Sequence, residues 1–102
     1  MECFAGTSVV LRSRAADPVT QRLLDDGTSV ASLYNPSLDP ESTPADRSHP
    51  DFVAAQTWDS ASRYYLATIS TAGYAPGIWT VQVEFVSSEF ASETFFQLTV
   101  KA

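Results

Sequence analysis

Two stretches near the C-terminal end constrain the fold most. In 78–87, Trp79, Val81, Val83 and Phe85 alternate with Thr80, Gln82 and Glu84, and in 92–101 Thr94, Phe96, Leu98 and Val100 alternate with Phe95, Gln97, Thr99 and Lys101. Strict apolar–polar alternation places one set of side chains on one face of an extended chain, as a half-buried antiparallel strand requires. A helix would instead need an apolar period of about 3.6 over ten or more residues, and no such run occurs. The rest of the chain follows the same rule. Further strands are expected over 8–14, with Val9 and Leu11 inward and Arg12 and Arg14 outward, and over 28–34, 52–58 and 63–70.

Turn residues separate these runs: Asp17-Pro18, Asp25-Asp26-Gly27, Asn35-Pro36, Asp59 to Ser62, Thr71 to Gly77 and Ser88 to Ala91. Six or seven short strands at this spacing, in 102 residues, predict a single domain over 1–102 built as an antiparallel β-sandwich. Trp79, Val81, Val83, Phe85, Phe96, Leu98 and Val100 are expected to share one core. Leu23-Leu24 should pack against that core as the chain crosses over. The segment 35–51, NPSLDPESTPADRSHPD, holds four of the six prolines and almost nothing apolar beyond Leu38 and Ala45. Proline lacks a ladder donor, so this segment is expected to be a long loop.

Twelve acidic residues against six basic give a net charge of −6. Nucleic-acid affinity comes largely from Lys and Arg on phosphates, so no nucleic-acid partner is expected, and an anionic membrane surface would repel the chain. No apolar run approaches the ~18 residues of a span, and Glu2-Cys3 without a basic segment argues against a signal peptide. Cys3 is alone, so no intrachain disulfide forms, which tilts towards a reducing site of synthesis. Proline at position 36 removes Asn35 as a glycosylation acceptor.

Catalytic patterns are missing from the sequence. His49 has no second His or useful Cys beside it, and no Gly-x-Ser-x-Gly elbow or Gly-rich phosphate loop occurs. Asp25 and Asp26, or Asp39, Glu41, Asp46 and Asp51, offer carboxylates without the spacing of a calcium loop. The sequence therefore predicts neither an enzyme, nor a metal site, nor a cofactor. Trp58, Trp79 and the Tyr64-Tyr65 pair would suit either a sugar platform or a core, and core packing is the expectation for strand aromatics. Phe95 and Phe96 are neighbours on a strand, so one must point away from the core.

Three elements together carry a family likeness: Tyr64-Tyr65-Leu66, Ala75-Pro76-Gly77-Ile78-Trp79-Thr80-Val81, and Phe95-Phe96-Gln97-Leu98-Thr99-Val100. They resemble bacterial and phage immunoglobulin-like domains, in which a Pro-Gly-x-aromatic-x-Val strand precedes a terminal hairpin. Gly6 to Leu11 (Gly-x-x-Val-x-Leu), Leu23 to Val30 and Asn35-Pro36 follow in the order of the small Ig-like structural proteins of tailed bacteriophages. The proline-rich segment is longer than the connection usual in that family.

The resemblance implies an immunoglobulin-like β-sandwich and a non-enzymatic virion protein, a capsid decoration or head/tail accessory made in the host cytoplasm. Its partners would be major capsid or head/tail subunits, or further copies of itself. The expected interface residues are Phe4, Leu38, Pro40, Pro44, Pro50 and Phe95, with Met1 to Phe4 and the proline-rich loop as docking elements. Such apolar docking should persist in raised salt. The alternative is an extracellular or cell-surface Ig-like module binding carbohydrate or protein, and a third class is an accessory domain of an enzyme.

Overall fold

The computed structural model describes residues 1–34 and 52–102. Seven strands and no helix occur among them: β1 Glu2–Phe4, β2 Ser8–Ser13, β3 Thr28–Tyr34, β4 Phe52–Asp59, β5 Tyr64–Ser70, β6 Gly77–Val86 and β7 Ala91–Lys101. All seven join one sheet in the order β1-β7-β6-β3-β4-β5-β2. The long loop expected over 35–51 lies outside the described residues.

β4 makes this order possible by changing partner along its length. Phe52 to Gln56 pair with β3, and Thr57 to Asp59 pair with β5. The sheet curls at that point until its two ends approach, so that it is nearly barrel-shaped. β1 and β2 meet there through Thr71, whose hydroxyl lies 2.7 Å from the Thr7 carbonyl and 3.4 Å from that of Phe4.

One pairing departs from the antiparallel expectation: β1 runs parallel to β7, with Cys3 opposite Val100. Met1 carbonyl accepts from the Thr99 amide at 2.9 Å, and the Ala5 amide donates to the Lys101 carbonyl at 2.7 Å. Three residues are too few to show a period. The strand exists because β7 offers an edge for them to bond.

The inward residues follow the alternation. Leu11, Leu33, Val81 and Leu98 have no exposed surface and Trp79 retains 1%. Together with Val9, Ala31, Tyr74, Val83 and Val100 they form the main core, and Phe96 packs against it. Val9 and Leu11 on β2 share this core with β6 and β7, although β2 is at the far end of the strand order. That contact is what the curl of the sheet achieves. The indole N–H of Trp79 donates to the Ala75 carbonyl at 2.8 Å, so its polar atom is buried without loss. Gly77, at φ 140°, gives the Pro-Gly element a conformation other residues rarely adopt.

Phe85 does not join this core as expected. It packs with Leu24 and Tyr65 in a second cluster, against which Ala15, Trp58 and Phe90 lie. Gly27 is the reason that Phe85 fits. A Cβ there would sit 2.5 Å from Phe85 Cε2 and 2.7 Å from the Val86 carbonyl oxygen. The Gly27 amide also donates to the Tyr65 hydroxyl at 3.2 Å. Leu24 is placed by a small ladder, in which Ala16 bridges Leu23 and the Leu24 amide bonds the Ala15 carbonyl.

Inward-facing polar side chains accompany the change of partner in β4. Gln56, 7% exposed, donates from Nε2 to the Leu11 carbonyl at 3.0 Å and accepts at Oε1 from the hydroxyls of Ser13 and Ser29. Those two hydroxyls are also 3.1 Å apart. With both hydroxyl protons directed at Gln56 Oε1, the two serines meet oxygen to oxygen beside it. This network ties β2, β3 and β4 together through their inner faces.

Candidate functional site

With the inner faces consumed by packing, chemistry and recognition fall to the outer faces and the turns. Two turns are fixed by carboxylates. Asp17 Oδ1 accepts from the amides of Val19 and Thr20, and Asp59 Oδ2 accepts from the Ser62 amide. Each of these carboxyls is held below its ordinary pKa. For Asp17 the backbone bond from Val19 is the largest cause, and for Asp59 the side-chain and backbone bonds of Ser62 are. Both are turn-forming groups, each with one oxygen engaged by backbone amides. Among the described residues no group of three or more His, Cys, Asp or Glu could hold a metal ion. His49, Asp39, Glu41, Asp46 and Asp51 lie outside those residues.

The aromatic side chains divide between the two faces. Trp79 and Tyr65 are buried, and Trp58 packs edge-on against Tyr65 at 5.1 Å. Phe52 stacks on Tyr74 at 4.2 Å, and Tyr74 leans on Trp79 at 4.7 Å. Burial raises the pKa of the Tyr74 hydroxyl. Tyr64 faces outward, under Arg12 and Arg14. Its neighbour Tyr65 faces inward, so the pair cannot form one flat platform with the tryptophans.

Of the six expected interface residues, two are described. Phe4 on β1 is 62% exposed and Phe95 on β7 is 43% exposed. Phe96 turns inward to the core, as the alternation required of one member of the pair. Phe4 lies beside Lys101, six positions further along β7 than Phe95. At about 3.3 Å per residue the two are roughly 20 Å apart along the sheet, and they do not form a single patch. Leu38, Pro40, Pro44 and Pro50 are outside the described residues.

Sequence reading missed a third surface. The outer face of β2 and β5 carries an open groove of about 380 Å³ lined by Met1, Val10, Arg12, Ser62, Tyr64 and Leu66. The guanidinium carbons of Arg12 and Arg14 lie 5.3 and 3.7 Å from the centre of the Tyr64 ring, a cation–π arrangement. Arg14 also donates from Nε to the Arg63 carbonyl and from Nη2 to the Ser62 carbonyl, at 3.1 and 3.2 Å. Its planar head is thereby fixed. The spacing of Arg12 and Arg14 put them on one side of a strand, but the tyrosine that gathers them comes from a different strand.

No protein-family model matches this chain, and no curated protein or solved structure is similar to it.

Proposed function

We propose that this chain is a non-enzymatic structural protein that acts by docking on other protein subunits. More specifically, we read it as an immunoglobulin-like virion component of a tailed bacteriophage, a capsid decoration or head/tail accessory. In this reading the curled sheet is a two-layered sandwich, with β4 passing from one layer to the other.

The observation that carries the docking function is the outer surface. Phe4, Val10, Val53, Ile78, Val86 and Phe95 are each 40% or more exposed, and each is held on a strand. The strand backbone is already ordered and Val and Ile are restricted at χ1, so apolar area buried against a partner, at about 25 cal/mol per Å², is offset by side-chain ordering but not by loop ordering. Repetition over many copies adds avidity. The phage assignment is supported by the order of motifs from Gly6 to Val100.

Purified particles of the encoding phage provide the test. Quantitative mass spectrometry should find the chain at hundreds of copies for a decoration protein, or a handful for a connector or tail part. Its absence from particles would overturn the assignment.

A further inference from the structure

The two halves of the sheet carry outer faces of opposite charge. On β2 and β5, Arg12 and Arg14 crowd the same tyrosine ring beside the apolar groove of Val10, Leu66 and Met1. On β6 and β7, Glu84 and Glu93 stand directly opposite each other. Thr99, of the same parity, sends its amide to Met1 rather than to β6, so this is a non-hydrogen-bonded pair, whose side chains are closest. Like charges so placed repel. Val86, two residues beyond Glu84 and on the same face, is 54% exposed.

Among the described residues, neither like-charged pair is neutralised by an ion pair. Among the described residues the one ion pair is Lys101 with Glu2, at 3.1 Å. Glu84 accepts from the neutral Gln82 amide at 3.0 Å, and Arg14 donates to neutral carbonyls. Two arginines and two glutamates are thus displayed on separate outer faces, each pair next to an exposed valine.

We propose that these faces are complementary surfaces for a second copy of this chain. The ridge of Glu84, Val86 and Glu93 on one copy seats on the groove of Arg12, Val10 and Tyr64 on the next. The spacing fits. Glu84 and Val86 are two residues apart on β6, as Arg12 and Val10 are on β2, so both charge-to-valine steps are about 6.8 Å. Carboxylates brought to the arginines relieve both repulsions, and Val86 covers the apolar floor. Because the two surfaces differ, the contact is heterologous and propagates from copy to copy into a ring or an open chain. The inference rests on these two faces and stands apart from the virion assignment.

Sedimentation of the intact chain tests it. At low ionic strength the average mass should rise with concentration above the 11.1 kDa of one chain. In 1 M salt, where the Debye length is about 3 Å, it should return to that value. Arg12→Glu/Arg14→Glu and Glu84→Arg/Glu93→Arg should each stay monomeric at low salt, and an equimolar mixture of the two should associate again. Because Arg14 also braces a turn, Arg12→Glu alone provides a second variant, expected to weaken association at least tenfold while retaining the wild-type circular dichroism spectrum. A wild-type chain that stays monomeric at all concentrations would overturn the proposal. So would association that ignores these substitutions, or a mixture that fails to associate.

Discussion

The two apolar clusters contrast in how they are built. The larger one, around Trp79, draws all but one of its ten buried members from strands whose alternation already turns them inward. The smaller one, around Phe85, depends on convergence: Leu24 from an irregular segment, Tyr65 from β5, and the missing side chain of Gly27. Periodic packing gathers the most buried apolar area, so removing a large side chain from it costs most. Convergent packing depends on single atoms being present or absent. The contrast predicts that the first cluster sets the size of the stability and the second its sensitivity to added volume.

The largest effect should come from the first cluster. Trp79→Ala removes the centre of the main core and the Ala75 hydrogen bond, and should cost about 3–5 kcal/mol in denaturant unfolding. An unchanged unfolding midpoint would remove the distinction between the clusters. Gly27→Ala attacks the second cluster by overpacking. Forcing a methyl against Phe85 and the Val86 carbonyl should cost about 1–3 kcal/mol, a large penalty for one added carbon. If thermal unfolding of that variant matches the wild type, Phe85 has room to move and the cluster is not convergent in the sense argued.

Smaller changes sharpen the comparison further. Tyr65→Phe keeps the packing and deletes only the acceptor for the Gly27 amide, so a loss of about 0.5–1.5 kcal/mol is expected. A loss as large as that of Gly27→Ala would shift the weight from shape to hydrogen bonding. The smallest effect concerns the exposed turns. The carboxyls of Asp17 and Asp59 have folded pKa values below the ordinary 3.8. Their contribution is therefore present above that value and is lost as pH falls through the depressed folded pKa. Acid titration of stability should show a slight fall beginning below about pH 4, reduced in Asp59→Asn.

How legible each feature was in the sequence follows from the same contrast. Alternation located β3 at 28–34 and placed β2, β5, β6 and β7 within a residue or so, because the period is a local property. It also placed Trp79 inside and sent one of Phe95 and Phe96 out. Alternation reports a face and not a partner, so nothing local announced that β4 divides its pairing or that β1 runs parallel to β7. Gln56 was the available signal. It lies between Phe52 and Trp58 on the same side of its strand, and a polar residue in that place asks for a buried partner. The Arg12–Arg14–Tyr64 grouping was not readable, since β5 brings the ring from some fifty residues away. The expected interface was legible only as a supply of apolar side chains. Phe4 and Phe95 are exposed, but the fold separates them.

The central claim is that the interior confers stability while the outer apolar side chains are the proposed attachment surface. The direct measurement compares wild type with Phe4→Ser for thermal unfolding and for saturation binding to purified phage particles lacking the chain. The Phe4 side chain is exposed on β1, and only its carbonyl is used by Thr7 and Thr71. The account predicts a melting temperature within a degree or two of wild type, since surface changes usually stay within ±0.5 kcal/mol, and at least tenfold weaker attachment that persists in raised salt. Attachment equal to wild type would contradict it.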